Sequence, residues 1–163
     1  MEVKPSKLHS ASFTPQERKH AHYSIISSGL PPHVAEREEQ ALVKMLEGKE
    51  TSGKTERVSS PCAGNAITVW NGFVGASSLG ESGKPAEKVA IEAAEALLRE
   101  IGAGAAVDSR LADQLLIYAA LAEGKSAYST GKFTQHLKTN ADVLSAMTGR
   151  NIILANEREI TVE

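Results

Sequence analysis

Apolar and polar positions along this chain alternate in two different periods, and the period changes mark its elements. Residues 18–28 alternate, with Ala21, Tyr23 and Ile25 on one face and His20 and His22 on the other, which predicts a strand. Gly29-Leu30-Pro31-Pro32 predicts a sharp turn with Pro32 at the first position of a helix. Val34, Ala35, Ala41, Leu42, Met45 and Leu46 then follow one stripe to about Glu47. Glu36, Arg37, Glu38 and Glu39 read as the solvated side of that helix. Residues 48–53 read as a flexible loop, and residues 55–59 as a short second strand.

The β-branched and aromatic run at 66–70 predicts a third strand, with Trp70, the single tryptophan, assigned to the core. Residues 75–83 are rich in Gly and Ser and read as a strand-to-helix loop. This loop lacks both the Gly-Lys-Ser/Thr of a P-loop and the Rossmann glycine spacing. Residues 84–101 carry the clearest helical signal. Pro85 suits the first turn, Gly102 the end, and Val89, Ala93, Ala96, Leu97 and Ile101 form a stripe. Asp108 or Ser109 should cap the next helix, which ends near Gly124. Two short strands are expected around Ser129-Thr130-Gly131, then a helix over 140–148 with Thr139 and Asn140 as caps. A terminal hairpin should turn near Asn156-Glu157. Upstream, residues 1–14 are polar and irregular, and Glu2-Val3-Lys4 reads as the tail of a strand. This order predicts an α+β fold with helices packed on a sheet.

Composition narrows the picture. The 163 residues suffice for one core plus a small appended unit. With 18 basic and 20 acidic residues, the net charge of −2 argues against a broad phosphate-gripping surface. Contact with RNA would be confined to a terminus or a small patch, or another part of the protein would supply the basic residues. Cys62 is the single cysteine, so no intrachain disulfide can form, and a reducing, cytoplasmic compartment is expected. No apolar run approaches the roughly 18 residues of a membrane-spanning helix, so no membrane partner is expected. His20 and His22 at i, i+2 have no third ligand at a familiar spacing and read as a polar strand face.

Candidate chemistry concentrates in residues 106–140. Asp113 and Gln114 stand in the middle of an otherwise apolar helix, where unpaired polar groups would be costly. His136 falls where a strand should end and a helix begin, a suitable place for a fixed nucleophile or base. A helix-end polar cluster and a capping histidine are the structural alternatives for these residues.

LADQL, followed by HLKTN and preceded by GASSLGESGKPAEKVAIEAAEALL, closely resembles the C-terminal part of RNA 3′-terminal phosphate cyclases. The resemblance extends upstream through SGLPPHVAERE and covers roughly residue 27 to the C-terminus. It implies the last repeat of the cyclase/enolpyruvyl-transferase-like superfold, with a small inserted α/β domain. On that reading residues 1–13 are a residue of the preceding repeat, 14–63 the inserted domain, and 64–163 the repeat with the catalytic histidine.

By the same resemblance, His136 stands where the family's nucleophile attacks the α-phosphate of ATP, giving a covalent histidine–AMP. The AMP passes to an RNA 3′-phosphate end, and the neighbouring 2′-hydroxyl closes a 2′,3′-cyclic phosphate. Asp113 and Gln114 match an Asp-Gln pair lining the ATP pocket, and Arg110 stands where relatives often carry a stacking aromatic. ATP and a divalent metal, Mg or Mn, are the implied cofactors. The family's upstream glycine- and arginine-rich segments have no counterpart here, which implies a C-terminal portion that needs an N-terminal half or a second copy. The alternative is a non-catalytic cyclase-like RNA-binding or ribosome-assembly protein, but His136 within HLKTN favours the enzyme lineage. Enolpyruvyl transferases would share the architecture only.

Overall fold

The computed structural model describes residues 6–17 and 19–163. The strand tail expected at Glu2-Val3-Lys4, and Arg18 at the start of the first strand, lie outside the described residues. The chain forms two units of mixed α+β structure: Gln16–Gly102, and Ala103–Glu163 with the described residues up to Pro15. Each has its own sheet, where the sequence pattern suggested one.

In the first unit, β1 (His20–Ser28) leads through α1 (Pro32–Met45) to β2 (Glu50–Arg57), parallel to β1. β3 (Gly64–Asn71) pairs antiparallel with β1, and β4 (Val74–Leu79) antiparallel with β3, giving the order β2-β1-β3-β4. α2 (Ala86–Gly102) packs on β3 and β4 and against α1. The alternation of β1 is realised: Ala21, Tyr23 and Ile25 are buried, while His20 and His22 are exposed. Pro32 opens α1 as expected, and Leu42, Ile67, Val69, Val89 and Leu97 complete the core.

Several expectations are corrected here. The loop read at 48–53 becomes strand from Glu50, because parallel pairing with β1 satisfies the backbone even though the side chains of β2 are nearly all exposed. Gly53 is required there. A Cβ would lie 2.5 Å from Tyr23 Cγ, so the tyrosine ring rests directly over its backbone. The small residues at 74–79 likewise form β4 rather than a loop. Trp70 leaves the core: Ile67 and Val69 take the buried face, so the period of two turns Trp70 outward beside His22, with ring centroids 5.8 Å apart. Glu38 makes the opposite move and is fully buried instead of solvated.

Residues 63 and 64, read from the sequence as a domain boundary, lie where β3 begins its pairing with β1. β1 and β3 are hydrogen-bonded from Ser28↔Gly64 to His22↔Trp70, so a cut there would split one sheet. The compact unit that begins at Gln16 runs to Gly102 and takes in β3, β4 and α2.

The second unit holds α3 (Ser109–Leu121), β5 (Ser126–Ser129), α4 (Gln135–Thr148), β6 (Ile152–Ala155) and β7 (Glu159–Val162). The sheet order is β5-β7-β6, with both pairings antiparallel. The expected terminal hairpin is present, turning at Asn156 and Glu157 with φ of 52° and 57°. The pair of strands expected around Ser129-Thr130-Gly131 is reduced to β5 alone, because β7 arrives from the end of the chain to pair with it. The segment before Pro15 runs parallel beside β5, with Phe13 N donating to Ala127 O at 2.9 Å. Val107, Leu116, Tyr128, Leu137, Ile160 and Val162 form the core, and Phe13 meets Tyr128 edge-on.

Candidate functional site

The residues singled out from the sequence all lie in the second unit, on α3 and the start of α4. Asp108 caps α3: its Oδ1 accepts from the backbone N–H groups of Arg110 at 3.0 Å and Leu111 at 2.9 Å. Arg110, Asp113 and Gln114 follow at i, i+3 and i+4, so they share one side of the helix. Ala112, Leu116, Ala119 and Ala120 face the core from the other side. The Asp-Gln pair was expected within a core-facing stripe. Instead Arg110 and Gln114 are exposed and Asp113 is half-buried at the margin, so the helix carries no unpaired polar group inside.

α4 begins earlier than its sequence suggested. Thr134 is the cap, its Oγ1 accepting from Leu137 N at 3.1 Å, and the helix starts at Gln135 rather than near Asn140. No strand precedes it directly, since Gly131 to Thr134 is irregular. His136 therefore sits within the first helical turn, exposed, among backbone N–H groups that have no intrahelical acceptor. That end of a helix carries partial positive charge and favours an anion.

Thr139 and Asn140, expected as caps, lie inside α4. Asn140 has a different partner. Its Nδ2 donates to Asp113 Oδ1 at 2.7 Å, bridging the two helices. Asn140 follows His136 by one turn and shares its side of α4, so this bond brings the polar side of α3 against the side of α4 that carries the histidine. Beneath it, the Tyr128 hydroxyl donates to Ala112 O at 3.0 Å. Burial, reinforced by the charge of Asp113, pushes that hydroxyl well above the usual phenol range, so it stays protonated.

The sequence motifs singled out Arg110, Asp113, Gln114 and His136 but not the cap of α4 by Thr134 or the bond from Asn140 to Asp113. The signal for Thr134 was available in a threonine followed three residues later by Leu137, the first buried position of α4. No group of three His, Cys, Asp or Glu side chains fit to hold a metal occurs among the described residues. Asp113 is the one carboxylate on this side of α3 and so the group here that could contact a divalent ion. Among the described residues no helix is long and apolar enough to cross a membrane.

Comparison with known proteins agrees with the motifs. The family described as RNA 3′-terminal phosphate cyclase matches residues 2–154. The RNA 3′-terminal phosphate cyclase of Archaeoglobus fulgidus is 43% identical over 123 residues, covering 74% of this chain and 38% of that protein. That of Methanosarcina barkeri is 40% identical over 139 residues, covering 84% of this chain and 41% of the relative. That of Methanothermobacter thermautotrophicus is 36% identical over 162 residues, covering 96% of this chain and 48% of its own length. The chain thus spans less than half the length of these relatives. With the family matched over nearly its whole length and LADQL and HLKTN joined through Asp113 and Asn140, the chain belongs to the RNA 3′-terminal phosphate cyclase family.

Proposed function

We propose that the chain is the C-terminal portion of an ATP-dependent, ligase-type RNA 3′-phosphate cyclase, with His136 as the nucleophile. The observation that carries this reading is the Asp113–Asn140 bond. It holds a carboxylate of α3 against the exposed, N-terminal side of α4 on which His136 stands.

The chemistry is the one that the resemblance to the cyclases implies. A ring nitrogen of His136 attacks the α-phosphorus of ATP, a P–N bond forms, and the bond to the bridging oxygen breaks to release pyrophosphate. The attacking nitrogen must be unprotonated, since the P–N bond forms from its lone pair. An oxygen of the RNA 3′-phosphate then attacks the phosphoramidate, freeing the histidine and leaving AMP joined to the RNA end. The 2′-hydroxyl attacks the 3′-phosphorus, loses its proton, and expels AMP as the 2′,3′-cyclic phosphate closes.

Asp113 and Gln114 would hydrogen-bond the nucleotide, and Arg110 would stack on it or pair with a phosphate. The divalent ion, Mg or Mn, supplies charge neutralisation of the triphosphate. First-turn amides of α4 would add to it at the transferring phosphoryl group. Further cationic groups are needed for a fast reaction and would come from an N-terminal half, since the relatives extend well beyond the matched region.

The test is to incubate the chain with ATP and Mg²⁺ or Mn²⁺ and weigh it intact. The incubation is repeated with the N-terminal portion of the Archaeoglobus fulgidus relative. An acid-labile adduct of one AMP that disappears in His136→Ala supports the reading. No adduct under either condition overturns it in favour of a non-catalytic cyclase-like protein that binds RNA or serves ribosome assembly.

A further inference from the structure

We propose that Asn140 is a positioning residue of this site: by donating to Asp113 Oδ1 it orients that carboxylate so that Oδ2 faces the nucleotide. The proposal rests on the adenylyl-transfer reading above and assigns a role to a residue that the motifs alone marked as a helix cap.

Three observations carry it. The contact is short, 2.7 Å, and its acceptor is a carboxylate, which makes it a charge-assisted bond with a defined direction. Asp113 Oδ2 takes no protein donor among the described residues, so Asn140 occupies one oxygen and leaves the other available. Asn140 also has no other task. The helix start is already capped by Thr134, and asparagine within a helix is a poorer choice than alanine because its amide competes with the backbone.

A plain interhelical staple is the competing explanation, yet α3 and α4 are already joined by apolar packing. Ala112 and Leu116 of α3 are buried with Leu137 and Ala141 of α4. An exposed polar contact adds little to such an interface. It does restrict the torsions of Asp113, which would otherwise sweep a carboxylate across the solvent-facing side of the helix. Fixing a charged acceptor in advance removes that ordering cost from nucleotide binding.

The experiment compares the wild-type chain, Asn140→Ala, and the exchange variant Asp113→Asn with Asn140→Asp. All three are assayed with ATP, Mg²⁺ and the N-terminal portion of the Archaeoglobus fulgidus relative. Adduct formation is followed against ATP concentration, and thermal melting is recorded in parallel. Asn140→Ala is expected to melt near the wild type while needing about tenfold more ATP for half-maximal labelling, the upper scale of ordering one side chain on binding. The exchange variant rebuilds the interhelical bond with the carboxylate moved onto α4, so it should melt like the wild type yet label poorly.

Wild-type ATP dependence in Asn140→Ala overturns the proposal, as does recovery of labelling by the exchange variant in step with its melting. If Asn140→Ala does not fold, Asn140→Leu, which keeps the bulk of the side chain without its donor, takes its place in the same assay with the same two outcomes. A wild-type chain that never takes up AMP overturns the adenylyl-transfer reading, and this proposal with it. Labelling of the wild type that Asn140→Ala matches overturns this proposal only.

Discussion

Asn65 Nδ2 donates to Glu38 Oε1 inside the unit Gln16–Gly102, where the glutamate is completely buried and its Oε2 has no partner among the described residues. Burial drives this carboxyl up to about 7, only partly offset by the bond from Asn65. A folded-state value raised above the unfolded one gives a stability contribution that is complete below about 4.5 and lost as pH rises through about 7.

Glu38→Gln should therefore stabilise this unit at pH 8, by up to about 3 kcal/mol, with the difference shrinking toward pH 5. Trp70 is the only tryptophan and belongs to the same unit, so its fluorescence reports the unfolding directly. A variant that melts below the wild type at pH 8 would contradict this account of the buried carboxyl.

His136→Ala should abolish the AMP adduct and leave the fold intact. The side chain is exposed, and alanine is a better helix former than histidine. Melting should shift by no more than about 0.5 kcal/mol in stability, as for other surface positions. Circular dichroism together with intact mass checks both halves. An unfolded variant would mean that the histidine holds the helix rather than the chemistry.

Thr134→Ala tests the element that positions the histidine. Losing the bond from Leu137 N to Thr134 Oγ1 should cost about 1 kcal/mol, fray the first turn of α4 and depress adduct formation, whereas Thr134→Ser should keep both. Equal behaviour of the alanine and serine variants would show that the cap does not set the position of His136.

The helices of the second unit expose large apolar side chains: Ile117, Tyr118 and Leu121 on α3 and Met147 on α4, the last 79% exposed. Such clustering on a small unit favours association, with a second copy or with the N-terminal half of a cyclase. Light scattering should give a mass that rises with protein concentration, and Leu121→Lys with Met147→Lys should lower it. A stable monomer at all concentrations would count against this surface as an interface.

The two kinds of information divide along physical lines. α2 was legible because its apolar stripe, Pro85 and Gly102 are local signals, and β1 because alternation directly records which face is buried. The family was legible because LADQL and HLKTN carry residue types that packing alone does not require. β2 was legible only at its end, through the strand read at 55–59, and β4 was read as a loop. Their polar, glycine-containing stretches become strands through pairing with β1 and β3, a non-local gain that propensity does not contain. The same holds for Trp70, turned outward by the register of β3, and for Glu38, buried where the helix pattern read it as solvated.

At the candidate site the local pattern was legible: Arg110, Asp113 and Gln114 stand at i, i+3 and i+4, spacings that a helix places on one side. That Asp113 meets Asn140 is a matter of packing, because the contact joins residues 27 apart in the chain and depends on how α3 lies against α4. A side-chain bond between two helices follows from their docking, and the docking is set by the buried faces of Leu116 and Leu137 rather than by the polar residues that profit from it.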